Sequence, residues 1–199
     1  MKVVIVDYRA GNPTSVKRAF QRLGVTTVIT NDPVELATAD RVVIPGVGHF
    51  GHTASLAASG LKSAVLDAVE RSIPVLGICL GMQWFFRSSQ EAPGFRGLGL
   101  MEGACERFPS IVKSPHVGWN QLKLRSDSKL LRGLADGNYV YFTHSYWAPV
   151  TSDTSAVTEY GQEFSAAVER GNIFGVQFHP EKSGATGLKI LANFCEQTC

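Results

Sequence analysis

Residues Lys2 to Asp7 form a β-branched run, Lys-Val-Val-Ile-Val-Asp, with no alternation of polar and apolar positions. Such a strand is buried on both faces, as in a parallel sheet. The turn Tyr8-Arg9-Ala10-Gly11-Asn12-Pro13 ends it, and Val16, Ala19, Phe20 and Leu23 then mark one face of a helix. Thr14 and Ser15 are candidate caps for that helix, and Gly24 closes it. Val25 to Thr30 predicts a second strand. Pro33 opens a short helix to about Ala39, and Arg41 to Pro45 predicts a third strand. Apolar positions at 61, 65, 66 and 69 mark a helix over 61–71, and Pro74 to Ile78 is a fourth strand. Strand and helix thus alternate with short connections. That pattern implies right-handed βαβ crossovers and a crevice at the carboxyl ends of the strands.

The second half follows another rhythm. Gly94 to Gly103 reads as loop, and short β-type runs follow over 105–108, 117–124, 139–143, 156–160, 165–169 and 173–178. Turns such as Asp136-Gly137-Asn138 and Arg170-Gly171-Asn172 separate several of them. Hairpins that extend the sheet or form a small second one are expected, with a final helix over 187–196. The predicted fold is α/β: a flavodoxin-like, mostly parallel sheet flanked by helices, with a mainly antiparallel β-rich second half, in one domain spanning 1–199.

Composition narrows the function. With 199 residues, 44% of them hydrophobic, the chain can bury a sizeable core. Lys+Arg 19 against Asp+Glu 17 leaves a net charge of +2 without long like-charge runs, which speaks against a nucleic-acid or acidic-membrane partner. No stretch reaches the roughly 18 apolar residues of a membrane span, and the N-terminal apolar run is too short for an export signal. The cysteines Cys79, Cys105, Cys195 and Cys199 have no C-x-x-C spacing, and the five histidines are scattered, so no metal site is expected. The expected location is a reducing cytoplasm.

Three windows carry chemistry. In Gly77-Ile78-Cys79-Leu80-Gly81 a cysteine follows a strand between paired glycines, the pattern of a nucleophile elbow with sulfur in place of the hydroxyl. The helix behind it crosses close to the strand, so the flanking positions have no room for a Cβ. Met82-Gln83-Trp84-Phe85-Phe86 is apolar enough to start that helix, whose dipole favours a thiolate. A structural cysteine buried among Leu and Ile fits the same window. In the second window, Phe178-His179-Pro180-Glu181, residues two apart share a side, so Glu181 can hold one imidazole nitrogen while Pro180 stiffens the spacing. A solvated surface turn fits that window taken alone. Together the two supply a nucleophile, a base and its orienter: Cys79, His179 and Glu181. The third window, Pro45-Gly46-Val47-Gly48, is a loop at a strand end. It can aim a backbone N–H, assigned to Val47, at an oxyanion shared with the Leu80 N–H. It lacks the spacing of a dinucleotide site.

The order P-G-V-G, G-I-C-L-G-M-Q, H-P-E resembles the class I, triad-type glutamine amidotransferases over essentially the whole chain. Pro115-His116-Val117-Gly118-Trp119-Asn120 and His179-Pro180-Glu181-Lys182-Ser183 are similar to the branch that serves imidazole glycerol phosphate synthase in histidine biosynthesis. The resemblance implies hydrolysis of glutamine to glutamate and ammonia through a thioester on Cys79, without a cofactor. It also implies substrate contacts from Gly46, Gly48, Gln83, His144, Ser145 and Tyr146. The implied partner is a (β/α)8-barrel cyclase, docked on Asn12, Trp119, Asn120 and Lys182. Such a partner suits the product, because bulk water near pH 7 protonates ammonia and only the free base is a nucleophile. Trp84, Cys195 and Cys199 have no role in this scheme. Other readings of the same residues are a glutaminase for an anthranilate or pyridoxal phosphate synthase, a γ-glutamyl hydrolase or cysteine peptidase, and a regulatory module that has lost catalysis.

Overall fold

The fold was taken from a computed structural model that describes residues 1–197; Cys199 lies outside the described residues. The β-branched runs become strands β1 (Lys2–Val6), β2 (Thr26–Thr30), β3 (Arg41–Ile44) and β4 (Val75–Ile78). Between them lie helices α1 (Pro13–Gln21), α2 (Pro33–Leu36), α3 (Ala54–Ala58) and α4 (Leu61–Glu70). Helix α5 (Leu80–Gln83) follows β4. The cap of α1 is Asn12 rather than Thr14 or Ser15. Pro13 already takes the first helical position, so the cap falls one residue before it, and the Asn12 carboxamide accepts the Ser15 N–H.

The second half contributes β5 (Ser88–Ser89), β6 (Ala104–Arg107), β7 (His116–Gln121), β8 (Lys123–Leu124), β9 (Tyr139–His144) and β10 (Tyr146–Trp147). After these come β11 (Thr154–Glu159), β12 (Glu163–Arg170), β13 (Ile173–Val176) and helix α6 (Gly184–Cys195). Both expected outcomes occur. The main sheet runs β2-β1-β3-β4-β13-β12-β11-β8, and separate small sheets hold β10-β6-β5 and β7-β9. From β2 to β13 neighbours are parallel; β12, β11 and β8 add antiparallel edges. The two-residue strands β5 and β10 carry too little pattern to be foreseen.

Each central strand sends alternate side chains to opposite faces. Val4, Val6 and Ile44 pack under α4 (Leu61, Val65) and the Trp84-Phe85-Phe86 cluster. Val3, Ile5 and Leu76 pack under α1 (Phe20) and α6 (Ile190, Leu191, Phe194), with Phe142 of β9 in the same layer. Full burial of one such aromatic contributes about 1.5–3 kcal/mol. The expected buried helix behind Cys79 is one turn long, ending at Gln83. Trp84, Phe85 and Phe86 are completely buried without it, in the loop that leads to β5. So short a helix has little dipole to lend the sulfur.

The candidate active site

Cys79 sits at the carboxyl end of β4 with φ 54° and ψ −107°, a conformation that costs a non-glycine residue about 1–3 kcal/mol. Its neighbours explain why the strain persists. A Cβ on Gly81 would stand 1.8 Å from the Ile44 carbonyl oxygen, and one on Gly77 would stand 2.7 Å from the Gly81 carbonyl. The turn closes because both positions are bare. The Cys79 N–H donates to the Val176 carbonyl (2.8 Å), tying the elbow to β13. Its sulfur lies 3.9 Å from the Thr143 carbonyl oxygen and 3.7 Å from the Gln177 side-chain amide.

Strand β13 leads directly to the second window. The His179 N–H donates to the Tyr141 carbonyl (2.8 Å), and the Ser183 hydroxyl donates to the His179 carbonyl (2.6 Å), so the backbone around the imidazole is held from both sides. Glu181 Oε1 accepts from His179 Nδ1 at 2.8 Å, with both side chains buried. That bond fixes the tautomer and turns Nε2, which has no hydrogen-bond partner among the described residues, towards the reaction. Burial opposes protonation of His179, but the negative Cys79 sulfur and then Glu181 outweigh it and raise its pKa above the ordinary histidine range. The arrangement favours the protonated imidazole of His179.

The oxyanion donors stand otherwise than expected. The Leu80 N–H is taken by the Gly46 carbonyl oxygen at 3.3 Å, so this conformation presents a carbonyl where a second donor was foreseen. Gly46 can press in because it lacks a side chain: a Cβ there would lie 2.3 Å from the Tyr8 hydroxyl and 2.8 Å from Leu80 Cβ. A donor from Val47 requires this peptide to turn over.

A cavity of about 270 Å³ opens on the sulfur. Gly48, Gln83, His144, Ser145 and Tyr146 all line it. Gly46 does not; with Val47 it borders a smaller cavity of about 80 Å³ on the other side of the triad, shared with Asn12, His179 and Lys182. His144 lines the larger cavity with both ring nitrogens already engaged by protein groups. Two residues at the site had no role assigned from the sequence, although Gln177 begins the stretch that carries His179 and Glu181. Glu91 brings a carboxylate to the cavity, where Oε2 accepts the Phe50 N–H (2.6 Å). Gln177, fully buried, touches the sulfur. The widest cavity described, about 770 Å³, lies between Lys129 and Gln197 and has no triad residue in its wall.

Of the expected docking residues, Trp119 is 54% exposed and packs edge-on against Tyr141, over which the Lys182 ammonium sits at 5.7 Å. Asn120 departs from the expectation. It follows Trp119 on β7, so the two point to opposite faces. Its carboxamide turns inward to the Glu159 carbonyl (3.0 Å) and His116 (3.4 Å). Asn12 remains at the surface as the cap of α1. Among the described residues no group of three His, Cys, Asp or Glu is placed to hold a metal ion, and no helix is long and apolar enough to cross a membrane.

Comparison with known proteins agrees with this geometry. The family profile "Glutamine amidotransferase class-I" matches residues 4–198. The imidazole glycerol phosphate synthase subunit HisH of Moorella thermoacetica is 44% identical over 197 residues, covering 98% of this chain and 94% of the relative. The same subunit from Methanothermobacter thermautotrophicus is 47% identical, covering 98% of both chains. In shape the chain is similar to a chain in the structure of PurLQS from Thermotoga maritima, with TM-score 0.77 at 19% identity over 98% of this chain and 97% of that one. The chain belongs to the class I glutamine amidotransferases and, within them, to the HisH subunits of imidazole glycerol phosphate synthase.

Proposed function

We propose that this subunit hydrolyses glutamine to glutamate and ammonia on Cys79 and delivers the ammonia to a (β/α)8-barrel cyclase in histidine biosynthesis. The observation that carries the reading is the strained elbow cysteine standing beside a buried His179–Glu181 pair joined at 2.8 Å. The Cys79 thiolate attacks the carboxamide carbon, forming the C–S bond and pushing the C=O electrons onto oxygen. When that oxyanion collapses, the C–N bond breaks and His179 gives its proton to the departing ammonia. Neutral His179 then takes a proton from water, whose oxygen attacks the thioester; glutamate leaves, and the sulfur and imidazole return to their starting state. Glu91, Gln83 and Ser145 line the cavity where the substrate's amino-acid end would lie, and the Glu91 carboxylate suits its ammonium.

The blocked Leu80 N–H supports a role for the partner. Turning the Gly46–Val47 peptide would free one donor and add another, and one lost oxyanion donor costs about 10²–10³ in rate. The small cavity behind the triad points towards the same partner. Lys182 on its rim covers Tyr141, which packs against exposed Trp119, with Val117 and Tyr139 exposed on the same ribbon. We read residues 1–199 as one domain, and the free thiols of Cys79, Cys105 and Cys195 suit a reducing cytoplasm.

The test is glutamine hydrolysis by the purified chain, alone and with a barrel cyclase carrying its nucleotide ligand. Slow turnover alone, a rise of at least 10²-fold with both, and loss in Cys79→Ser are expected. A rate indifferent to the cyclase overturns the partner. Unchanged turnover in Cys79→Ser overturns the nucleophile.

A further inference from the structure

We propose that His116 and His144 are positioning residues for the glutaminase site, the middle of one hydrogen-bond chain that runs from Asn120 on β7 to the sulfur of Cys79. The inference rests on the glutaminase reading above and extends it to His116, which lies outside the cavity wall, and to His144, which lines it with both ring nitrogens engaged by protein groups.

The chain can be followed bond by bond. The Asn120 carboxamide is oriented by the Gln121 N–H, which donates to its oxygen at 2.8 Å. Its nitrogen therefore faces His116 Nε2 at 3.4 Å. His116 Nδ1 lies 3.2 Å from His144 Nε2, and His144 Nδ1 lies 2.8 Å from the Tyr146 carbonyl oxygen. A carbonyl only accepts, so His144 Nδ1 carries the hydrogen. In a neutral ring its Nε2 is then bare and must receive from His116 Nδ1, which leaves His116 Nε2 bare to receive from Asn120. Burial holds both rings neutral, lowering His116 to about 4 and His144 to about 3. Every donor points the same way, and no ring nitrogen is left over.

Beyond Tyr146 the bonds reach the nucleophile. The same carbonyl accepts from Gln83 Nε2 at 2.8 Å, and Gln83 Nε2 also donates to Gln177 Oε1 at 3.0 Å. With its oxygen so occupied, the Gln177 amide can present only its N–H groups to Cys79 Sγ, at 3.7 Å. The Tyr146 carbonyl accepts from both sides, so the imidazoles act by holding that carbonyl in place, and the carbonyl in turn orients Gln83 and the Gln177 amide beside the sulfur. The rings are themselves clamped: His116 stacks between Phe142 (4.9 Å) and Tyr160 (4.0 Å). Simple core packing would need none of the ring nitrogens. Both imidazoles arrive from the β7–β9 ribbon whose outer face bears Trp119, in a register that sets His116 opposite His144.

Substitution at His116 tests the chain, because Phe preserves the stacking while removing both nitrogens, and Asn restores an N–H near the Nδ1 position at the cost of packing. Glutamine hydrolysis is measured with the barrel cyclase bound, and imidazole ¹⁵N shifts are recorded on the parent subunit. The expected result is a kcat about tenfold lower in His116→Phe with KM within twofold, partial recovery in His116→Asn, and Nδ1–H tautomers for both rings in the parent. Phe outperforming Asn, or an Nε2–H tautomer at either ring, overturns the proposal even if a variant fails to fold. Variants matching an active parent overturn it alone; a parent without glutaminase activity overturns the underlying reading as well.

Discussion

Replacing Gly81 by alanine adds one methyl group at the tightest point of the elbow. The new Cβ would lie 1.8 Å from the Ile44 carbonyl oxygen, 2.9 Å from its carbonyl carbon and 3.3 Å from Ile44 Cγ2. Carbon–oxygen contacts relax at about 3.3 Å, so the two segments must part by about 1.5 Å. Neither can do so alone. Ile44 ends β3, which is bonded to β1 on one side and β4 on the other, and α5 begins at the nucleophile itself. Overpacking that side chains can absorb costs about 1–3 kcal/mol; here backbone meets backbone, and a loss above about 3 kcal/mol is expected. Gly94→Ala is the matched control, because nothing lies within 4 Å of its Cβ. Urea unfolding gives the stability difference, and alkylation of Cys79 followed by mass spectrometry reports the displacement of the sulfur. If Gly81→Ala unfolds within 0.5 kcal/mol of Gly94→Ala and its Cys79 reacts at the parent rate, the steric account of the paired glycines is wrong.

Two further expectations concern stability. His144 is neutral in the fold down to about pH 3 but charged in the unfolded chain below about 6.5, so between those values the unfolded state binds more protons and stability falls as pH falls. From pH 7 to pH 5 this removes about 2 kcal/mol, and His116 acts in the same direction. His179, raised in the fold, works with the opposite sign: its contribution is complete below about 6.5 and is lost only as pH rises through its folded value. The difference in urea midpoint between pH 7 and pH 5, parent against His144→Asn, isolates the first effect; parallel shifts in both proteins refute it. Tyr8 presents a buried hydroxyl with no partner among the described residues. Tyr8→Phe should therefore stabilise the chain by about 1 kcal/mol in thermal or urea unfolding, and a comparable loss would show that the hydroxyl is satisfied.

Local order was legible in the sequence where a short stretch of backbone decides the outcome. The β-branched runs and the spaced apolar positions of α1 and α4 sufficed for the elements, because side-chain period and strand or helix geometry are the same fact seen twice. Gly77 and Gly81 announced the elbow because only a bare α-carbon fits there. The His179–Glu181 pair was foreseen for another reason than the one that makes it: only His179 is extended, and Pro180–Lys182 is a 3-10 turn that brings Glu181 back to the imidazole. Asn120 and Trp119 were adjacent in a strand and so could not share a face, a consequence of period two already present in the pattern. The helix behind Cys79 was overread, since apolar residues there serve burial and not helix length.

Folding alone placed β13 beside β4, with Gly175 opposite Gly77, and so carried His179 to a cysteine one hundred residues away. It also turned the Gly46 carbonyl onto Leu80, brought Glu91 over the cavity, and set His116 opposite His144. These are pairings between distant segments, selected by the energy of the whole packed chain, and no local run of residues encodes them.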